Sequence, residues 1–397
     1  MSLTLLLDLD NTLLENDIDK FLSYYLKAFS KEVVKYQIDP NQFVNYLLKG
    51  SQAMVENQKP DVTLRETFNT VFFPALNLDP EQFQPVADHF YAQVFPQLRG
   101  LTRPIPEAVI LVEEAVRRNY RLAIATNPLF PESAILQRLD WANLPPDRIA
   151  YELITSYETF HFAKPNPAYF AEILARLGWP SGNVLFAGDN LERDIIPAHE
   201  MGLVTYWVDS ISRTTSKIVA SACGSLEKIL AWIDRSTEDE LLPNYSSATA
   251  RQAVLRSTPA YIDTLHRQFP ADRWTISTTE DEWCLKEVVC HLRDVEIEVN
   301  LPRIQKVIKE KNPYFTGTDT DRWAKERNYL LQDSKEAFHS FLEARMESLK
   351  LLQSLAETDW TRSARHTIFG PTNLAELVEI MAAHDRLHVQ QMHQLIQ

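Results

Sequence analysis

The stretch "LLLDLDNTLL", residues 5–14, decides how the first half of the chain is read. A run of leucines ends in two aspartates one residue apart, Asp8 and Asp10, with Thr12 just beyond. Continuous rather than alternating hydrophobicity marks a strand buried on both faces, as in a parallel sheet. Ligands of open α/β sheets bind beyond the carboxyl ends of the strands. The paired carboxylates therefore stand where a site is expected.

Outward from that strand the pattern changes twice. Residues 17 to about 98 carry helical periodicity in "DIDKFLSYYLKAFSKEVVKY", "NQFVNYLLKGSQAMVEN", "VTLRETFNTVFFPAL" and "PEQFQPVADHFYAQVF", with no convincing strand. From 104 to 235 the short apolar runs "LAIAT", "YELIT", "NVLFAG" and "VTYWVD" alternate with helices such as "IPEAVILVEEAVRRN". This predicts an α/β Rossmannoid parallel sheet over 1–235, interrupted after its first strand by an all-helical insertion at about 15–100. The polar stretch "STEDELLPNYSSATA", 236–250, reads as a linker. Beyond it, over 251–397, helical patterns at about 251–269, 283–309, 334–357 and 372–396 predict a separate all-α four-helix bundle. The long connection near 310–333 points to a crossover within it.

A length of 397 residues gives a prior of two or three domains. An apolar fraction of 45% with 24% charged residues describes a globular protein. The net charge of −14 argues against nucleic acid and anionic membrane as partners. A small phosphorylated metabolite remains compatible, because one local cationic pocket overrides a distant field. Cys223, Cys284 and Cys290 form no CxxC pair or even-numbered framework, which fits a reducing, cytoplasmic compartment. The N-terminus lacks a basic n-region, and no apolar run reaches the roughly 20 residues of a membrane span. The pattern permits a homodimer without requiring one.

Further polar residues fall at the other predicted strand ends. Thr126 and Asn127 follow "LAIA", Asp189 follows "NVLFAG", Lys164 lies in the loop "HFAKPNPAYF", and Asp194 comes five residues after Asp189. Converging carboxylates repel one another unless a cation lies among them. Hard oxygen ligands favour Mg²⁺. A lysine and a threonine opposite that cation suit the oxygens of a phosphoryl group, with Asp8 as a nucleophile that forms an aspartyl-phosphate.

With "DLDNT" (8–12), "ATN" (125–127), "KPNPAYF" (164–170) and "GDNLERD" (188–194) in this order, residues 1–235 resemble the haloacid dehalogenase superfamily. The helical insertion is similar to that family's first type of cap. The resemblance implies that Asp8 is the nucleophile, and that Asp10 protonates the leaving alkoxide and then deprotonates the hydrolytic water. It implies that Thr126, Asn127 and Lys164 hold the phosphoryl oxygens. It also implies that Asp8, the Asp10 carbonyl and Asp189 bind Mg²⁺, with Asp194 ligating or placing a water. Dehalogenases of the superfamily lack an acid at the Asp10 position, so Asp10 implies phosphomonoester hydrolysis. Arg193 departs from the small polar residue common before the last aspartate.

In the C-terminal stretch, His384 and His388 are four residues apart, about 40° on one helical face, and His393 points elsewhere. His291 lies beside Val288, Val289 and Leu292 on an apolar helical face. An isolated His with a facing HxxxH makes a three-imidazole set suited to Zn²⁺, Ni²⁺ or Fe²⁺. Cys284 and Cys290 read as packing residues, and Asp294 and Glu296 either as partners of the ligands or as solvated charges. With "EVVCHLRDVE" (287–296), "FGPTNLAELV" (369–378) and "HDRLH" (384–388), the region 251–397 resembles the DinB-like metal-binding bundles. That resemblance implies His291, His384 and His388 as the metal ligands. Two other roles stay open for the bundle: the main activity of the chain, as a metal- and thiol-dependent transferase or hydrolase, or a non-catalytic dimerisation or sensing module.

Overall fold

The computed structural model describes residues 2–209, 219–279 and 282–397. Its contacts form two compact units, Met1–Ile173 with Pro180–Asn244, and Leu174–Trp179 with Tyr245–Gln397.

The first unit is built on a six-stranded parallel sheet. In chain order its strands are β1 (Leu3–Leu7), β4 (Arg121–Ile124), β5 (Leu153–Ile154), β6 (Asn183–Gly188), β7 (Val204–Val208) and β8 (Ala222–Gly224). They lie in the order β5-β4-β1-β6-β7-β8. Every residue of β1 is buried, as its unbroken leucine run requires of a central parallel strand. The ribbon of β2 (Leu14–Asn16) with β3 (Thr102–Pro104) brackets the insertion after β1. Helices α5 (Pro106–Arg117), α6 (Glu132–Trp141), α7 (Pro167–Arg176) and α8 (Ile196–Glu200) make the connections between strands, and α9 (Ile229–Ile233) follows the last of them.

The insertion holds α1 (Ile18–Val34), α2 (Pro40–Glu56), α3 (Leu64–Leu76) and α4 (Pro80–His89). Side chains cap each start: Asp17, Asp39 and Asp79 accept from first-turn amides, and Thr63 with Glu66 forms a capping box. The interior of the insertion is aromatic, with Phe29 stacked on Phe90 at 3.9 Å and edge-on to Phe43.

In the second unit α10 (Ala248–Gln268), α11 (Leu285–Val295), α12 (Leu301–Lys309), α14 (Ser334–Gln353) and α15 (Leu374–Ile396) form the bundle. A π turn at Glu296–Asn300 joins α11 to α12, so the second predicted helix is continuous. The long connection carries the short α13 (Trp323–Glu326). A small sheet of β9 (Tyr314–Phe315), β10 (Ser363–His366) and β11 (Gly370–Asn373) also belongs to this unit. The sequence pattern did not reveal it, because strands of two to four residues are too short to show a period. Among the described residues, no helix is long and apolar enough to cross a membrane.

Candidate functional site

Strand register sets the first site. Leu7 pairs with Ile124 on one side and with Ala187 on the other, so β1, β4 and β6 end at one level. The chain leaves these ends as Asp8, Ala125–Thr126 and Gly188–Asp189, and two further bonds extend the ladders, Ala125 N to Leu7 O and Asp8 N to Ala187 O. Asn190 caps the turn after β6 through its side chain, accepting from Glu192 N and Arg193 N, and this turns Asp194 inward. Gly188 is required there, since a Cβ would stand 2.7 Å from the Asp194 carboxylate.

Carboxylate oxygens of Asp8, Asp189 and Asp194 all lie within 4.8 Å of one another. Lys164 Nζ donates to Asp8 at 2.7 Å and to Asp194 at 2.5 Å. All of these line one cavity of about 440 Å³, together with Asp10, Thr126 and Asn127. Asn127 Oδ1 accepts from the Lys164 backbone N–H at 3.1 Å. The Thr126 carbonyl accepts from Thr155 and Tyr169 hydroxyls, each at 2.7 Å. Asp10 stands apart from the carboxylate cluster, its side chain accepting from Asn16 Nδ2 at 2.8 Å and from the Arg138 guanidinium.

Charge in this site is unbalanced. Burial, and next the Asp194 charge, push the Asp8 carboxyl well above the ordinary carboxylate range. The same two causes push Asp189 up to about 6. Burial works against the Lys164 ammonium, but Asp194 and Asp8 outweigh it and hold its pKa above the usual lysine value. Three carboxylates sharing one ammonium are short of positive charge, and an oxygen-liganded divalent cation would supply it.

A second cluster lies in the bundle. Nε2 atoms of His291 on α11 and His388 on α15 each stand 3.1 Å from His384 Nε2. One ring nitrogen offers either a proton or a lone pair, so His384 Nε2 cannot satisfy both neighbours. His388 Nδ1 donates to Gln391 Oε1 at 2.9 Å, which leaves its Nε2 as the lone-pair nitrogen. Burial, and then the neighbouring imidazoles, depress His291 to about 2 and His384 to about 3, and burial also lowers His388. All three are thus neutral near pH 7, the form that binds a metal. Trp283 covers the cluster, its ring 4.7 Å from that of His291.

His393 lies outside the cluster, its Nδ1 3.4 Å from the Tyr261 hydroxyl. Cys284 and Cys290 are buried, and burial raises both thiols. Asp294 and Glu296 are neither ligand partners nor solvated. Asp294 binds Arg293, Arg327 and Tyr329, and Glu296 binds Arg345, Ser348 and Asn300.

A family model described as haloacid dehalogenase-like hydrolase matches residues 3–202, a little over half of the chain. The chain belongs to this family. In this haloacid dehalogenase-like hydrolase a second model, the DinB superfamily, matches residues 254–392. Pyrimidine 5'-nucleotidase YjjG of Escherichia coli is 34% identical over 134 residues, 32% of this chain and 56% of that protein. Phosphoglycolate phosphatase of Aquifex aeolicus is 26% identical over 201 residues, 51% of this chain and 82% of that protein. The chain thus spans about half the length of the first of these relatives. The four-helix-bundle protein YfiT of Bacillus subtilis is similar in structure, with 17% identity and a TM-score of 0.35 over 41% of this chain and 89% of that one.

Several residues of the hydrolase site were not apparent from its motifs. Arg138, 2% exposed, reaches Asp10 from α6 with its guanidinium near the rings of Phe21 and Phe130. His161 and Glu172, fully buried, bond at 2.7 Å, and Glu172 also accepts from the amides of His161 and Phe162. Asn57 Nδ2, from the end of α2, donates to the His161 carbonyl at 2.8 Å. These bonds fix the loop that delivers Lys164. Only the arginine's position directly before the "LDW" end of a helix could have marked it, and that signal is shared with countless surface arginines.

Proposed function

We propose that residues 1–235, with the cap at about 15–100, are a Mg²⁺-dependent phosphatase acting on a small-molecule phosphomonoester, joined by the linker 236–250 to the bundle 251–397. The observation that carries this reading is the convergence of Asp8, Asp189 and Asp194 around Lys164 at one end of a cavity that Asp10 also lines. The names of the E. coli and Aquifex relatives, a nucleotidase and a phosphatase, support the same reaction class.

In this reading Asp8 attacks phosphorus while the bond to the leaving oxygen breaks, and Asp10 in its carboxylic form gives that alkoxide its proton. Asp10, now a carboxylate, takes a proton from water as the water oxygen attacks the aspartyl-phosphate. The bond between phosphorus and the Asp8 oxygen breaks, and phosphate leaves. Lys164 holds Asp8 and faces the phosphoryl oxygens, with Thr126 and Asn127 beside them. Asp8, the Asp10 carbonyl and Asp189 would hold the cation, with Asp194 ligating it or placing a water. When bound, Mg²⁺ would neutralise phosphoryl charge and lower the barrier to attack by an anionic nucleophile. The test is Mg²⁺-dependent turnover of p-nitrophenyl phosphate by the full chain. Asp8→Asn should abolish it, and turnover that survives this substitution would reject the nucleophile.

In the bundle we read His291, His384 and His388 as holding Zn²⁺, Ni²⁺ or Fe²⁺, supported by three Nε2 atoms meeting with no arrangement of protons that satisfies them. This cluster also favours a second reading, in which the bundle carries the main activity. Metal content measured on protein purified without a histidine tag decides the ligands: stoichiometric metal in a His384→Ala/His388→Ala variant would remove them.

A further inference from the structure

Resting on the phosphatase reading above, we infer that the substrate's leaving group is a neutral, ring-bearing alcohol of nucleoside size rather than a short anionic one. The cavity of about 440 Å³ falls in the range that encloses most of a drug-sized ligand. Asp8, Lys164, Asp189 and Asp194 claim one end for the phosphoryl group, and a two-carbon leaving group would leave most of the remainder unfilled.

That remainder is walled by the cap. Leu22, Tyr25, Met54, Phe68 and Tyr91 line it, facing Phe130 of the core. Tyr25 stands edge-on to Phe130 at 5.3 Å and 74°. Such walls favour a flat conjugated ring, which gains offset or edge contacts beyond the area it buries. Among these rings the polar groups are neutral hydroxyls. The Tyr25 and Tyr91 hydroxyls bond to each other at 2.9 Å. One proton serves that bond, so the other is available to an acceptor on the ligand, such as a ring carbonyl.

Charge disfavours the anionic alternative. The buried cations Arg138 and Lys164 are committed, the first to Asp10 and the second to Asp8 and Asp194. Asp88 and Glu158 line the same cavity, as do Arg65 and Arg193; of these only Glu158 is half-buried, and the other three are exposed. A carboxylate buried on the leaving group would find no uncommitted buried cation to pair with.

The experiment compares kcat/KM of the full chain with Mg²⁺ for uridine 5'-monophosphate, glycerol phosphate and phosphoglycolate, with p-nitrophenyl phosphate as the baseline. The nucleotide should exceed phosphoglycolate by about 100-fold, with glycerol phosphate between them, within the 10- to 200-fold that apolar pockets achieve. Leu22→Trp narrows the chamber and should collapse the ratio of nucleotide to glycerol phosphate about tenfold. Ser51→Phe, from α2, narrows the same space should Leu22→Trp fail to fold. Phosphoglycolate or glycerol phosphate turned over as well as the nucleotide would overturn the inference, as would a ratio indifferent to both substitutions. Absence of any Asp8-dependent turnover, p-nitrophenyl phosphate included, would instead reject the phosphatase reading and this inference with it.

Discussion

The carboxylate site draws Asp8, Thr126, Lys164, Asp189 and Asp194 from four segments, three of them at the carboxyl ends of the central strands of a parallel sheet. The histidine site takes its three donors from two helices. In the first, strand register brings distant segments to one level. In the second, helical spacing pairs His384 with His388, and packing within the bundle adds His291. Burial acts on both in the same sense, favouring the neutral form, with opposite results for metal binding. It raises the carboxyls of Asp8 and Asp189, which then take up protons more readily. It lowers the imidazoles, which reach neutral pH already in the form that binds metal.

The largest effect should come from crossing the two sites. Asp8→Asn should lower phosphomonoester turnover by about 10³-fold or more, the scale seen when a nucleophile is lost, and leave metal bound in the bundle. His384→Ala/His388→Ala should empty the bundle and spare turnover. Elemental analysis and a phosphate-release assay on both variants check this, and a loss of both properties in either one would join what the comparison separates.

Next in size is the buried ion cluster of the bundle, where Arg345 bonds Asp385, Glu296 and the Leu255 carbonyl, all fully buried or nearly so. Arg345→Met leaves two carboxylates without their cation and should cost about 3–5 kcal/mol. Urea unfolding of the full chain followed by tryptophan fluorescence measures it. Arg138→Lys should have a smaller effect. Lysine cannot reproduce a guanidinium fork, so Asp10 loses its restraint. We expect kcat to fall about tenfold, with a displaced limb in the pH–rate profile and KM for Mg²⁺ nearly unchanged.

The smallest effects are those of pH, and both sites weaken as pH falls, one through proton competition with the cation and the other through stability. Asp189 in the folded, metal-free protein takes up a proton near pH 6. Mg²⁺ must displace that proton at lower pH, so its apparent affinity should fall by up to about tenfold per unit below 6. Mg²⁺ activation curves between pH 5 and 7.5 read this directly. For His291 and His384 the folded values, about 2 and about 3, lie below the unfolded value of about 6.5. The unfolded chain therefore protonates first, and the metal-free protein loses stability as pH falls through 6.5 toward 3. Thermal melts of chelator-treated protein at pH 7.5, 6 and 5 should show a stepwise decline.

Much of the carboxylate site was legible because strand ends leave short, distinctive marks. An apolar run that stops at a carboxylate identifies Asp8 and Asp189 without knowledge of their neighbours. Asp10 was legible as a residue but not in its surroundings. Its partners Asn16 and Arg138 lie six and 128 positions away, and Arg138 sits on a helix among ordinary apolar positions. Burial against Phe21 and Phe130 gives that arginine its role. In the bundle, spacing marked His384 and His388. The same spacing left Asp294 and Glu296 ambiguous, since whether a charge meets solvent, an imidazole or an arginine depends on the helix opposite.

By itself the sequence determined the parallel sheet, the helical insertion, the bundle and the order of the polar residues along the chain. These follow from local periodicity and from where apolar runs end, and both are properties of neighbouring residues. Tertiary structure alone decided which acid faces which cation, how the loop of Lys164 is held by Glu172 and Asn57, and that the cap encloses a chamber of rings. Those features arise where segments tens of residues apart are desolvated together, and electrostatic strength in a buried site depends on all of its neighbours at once.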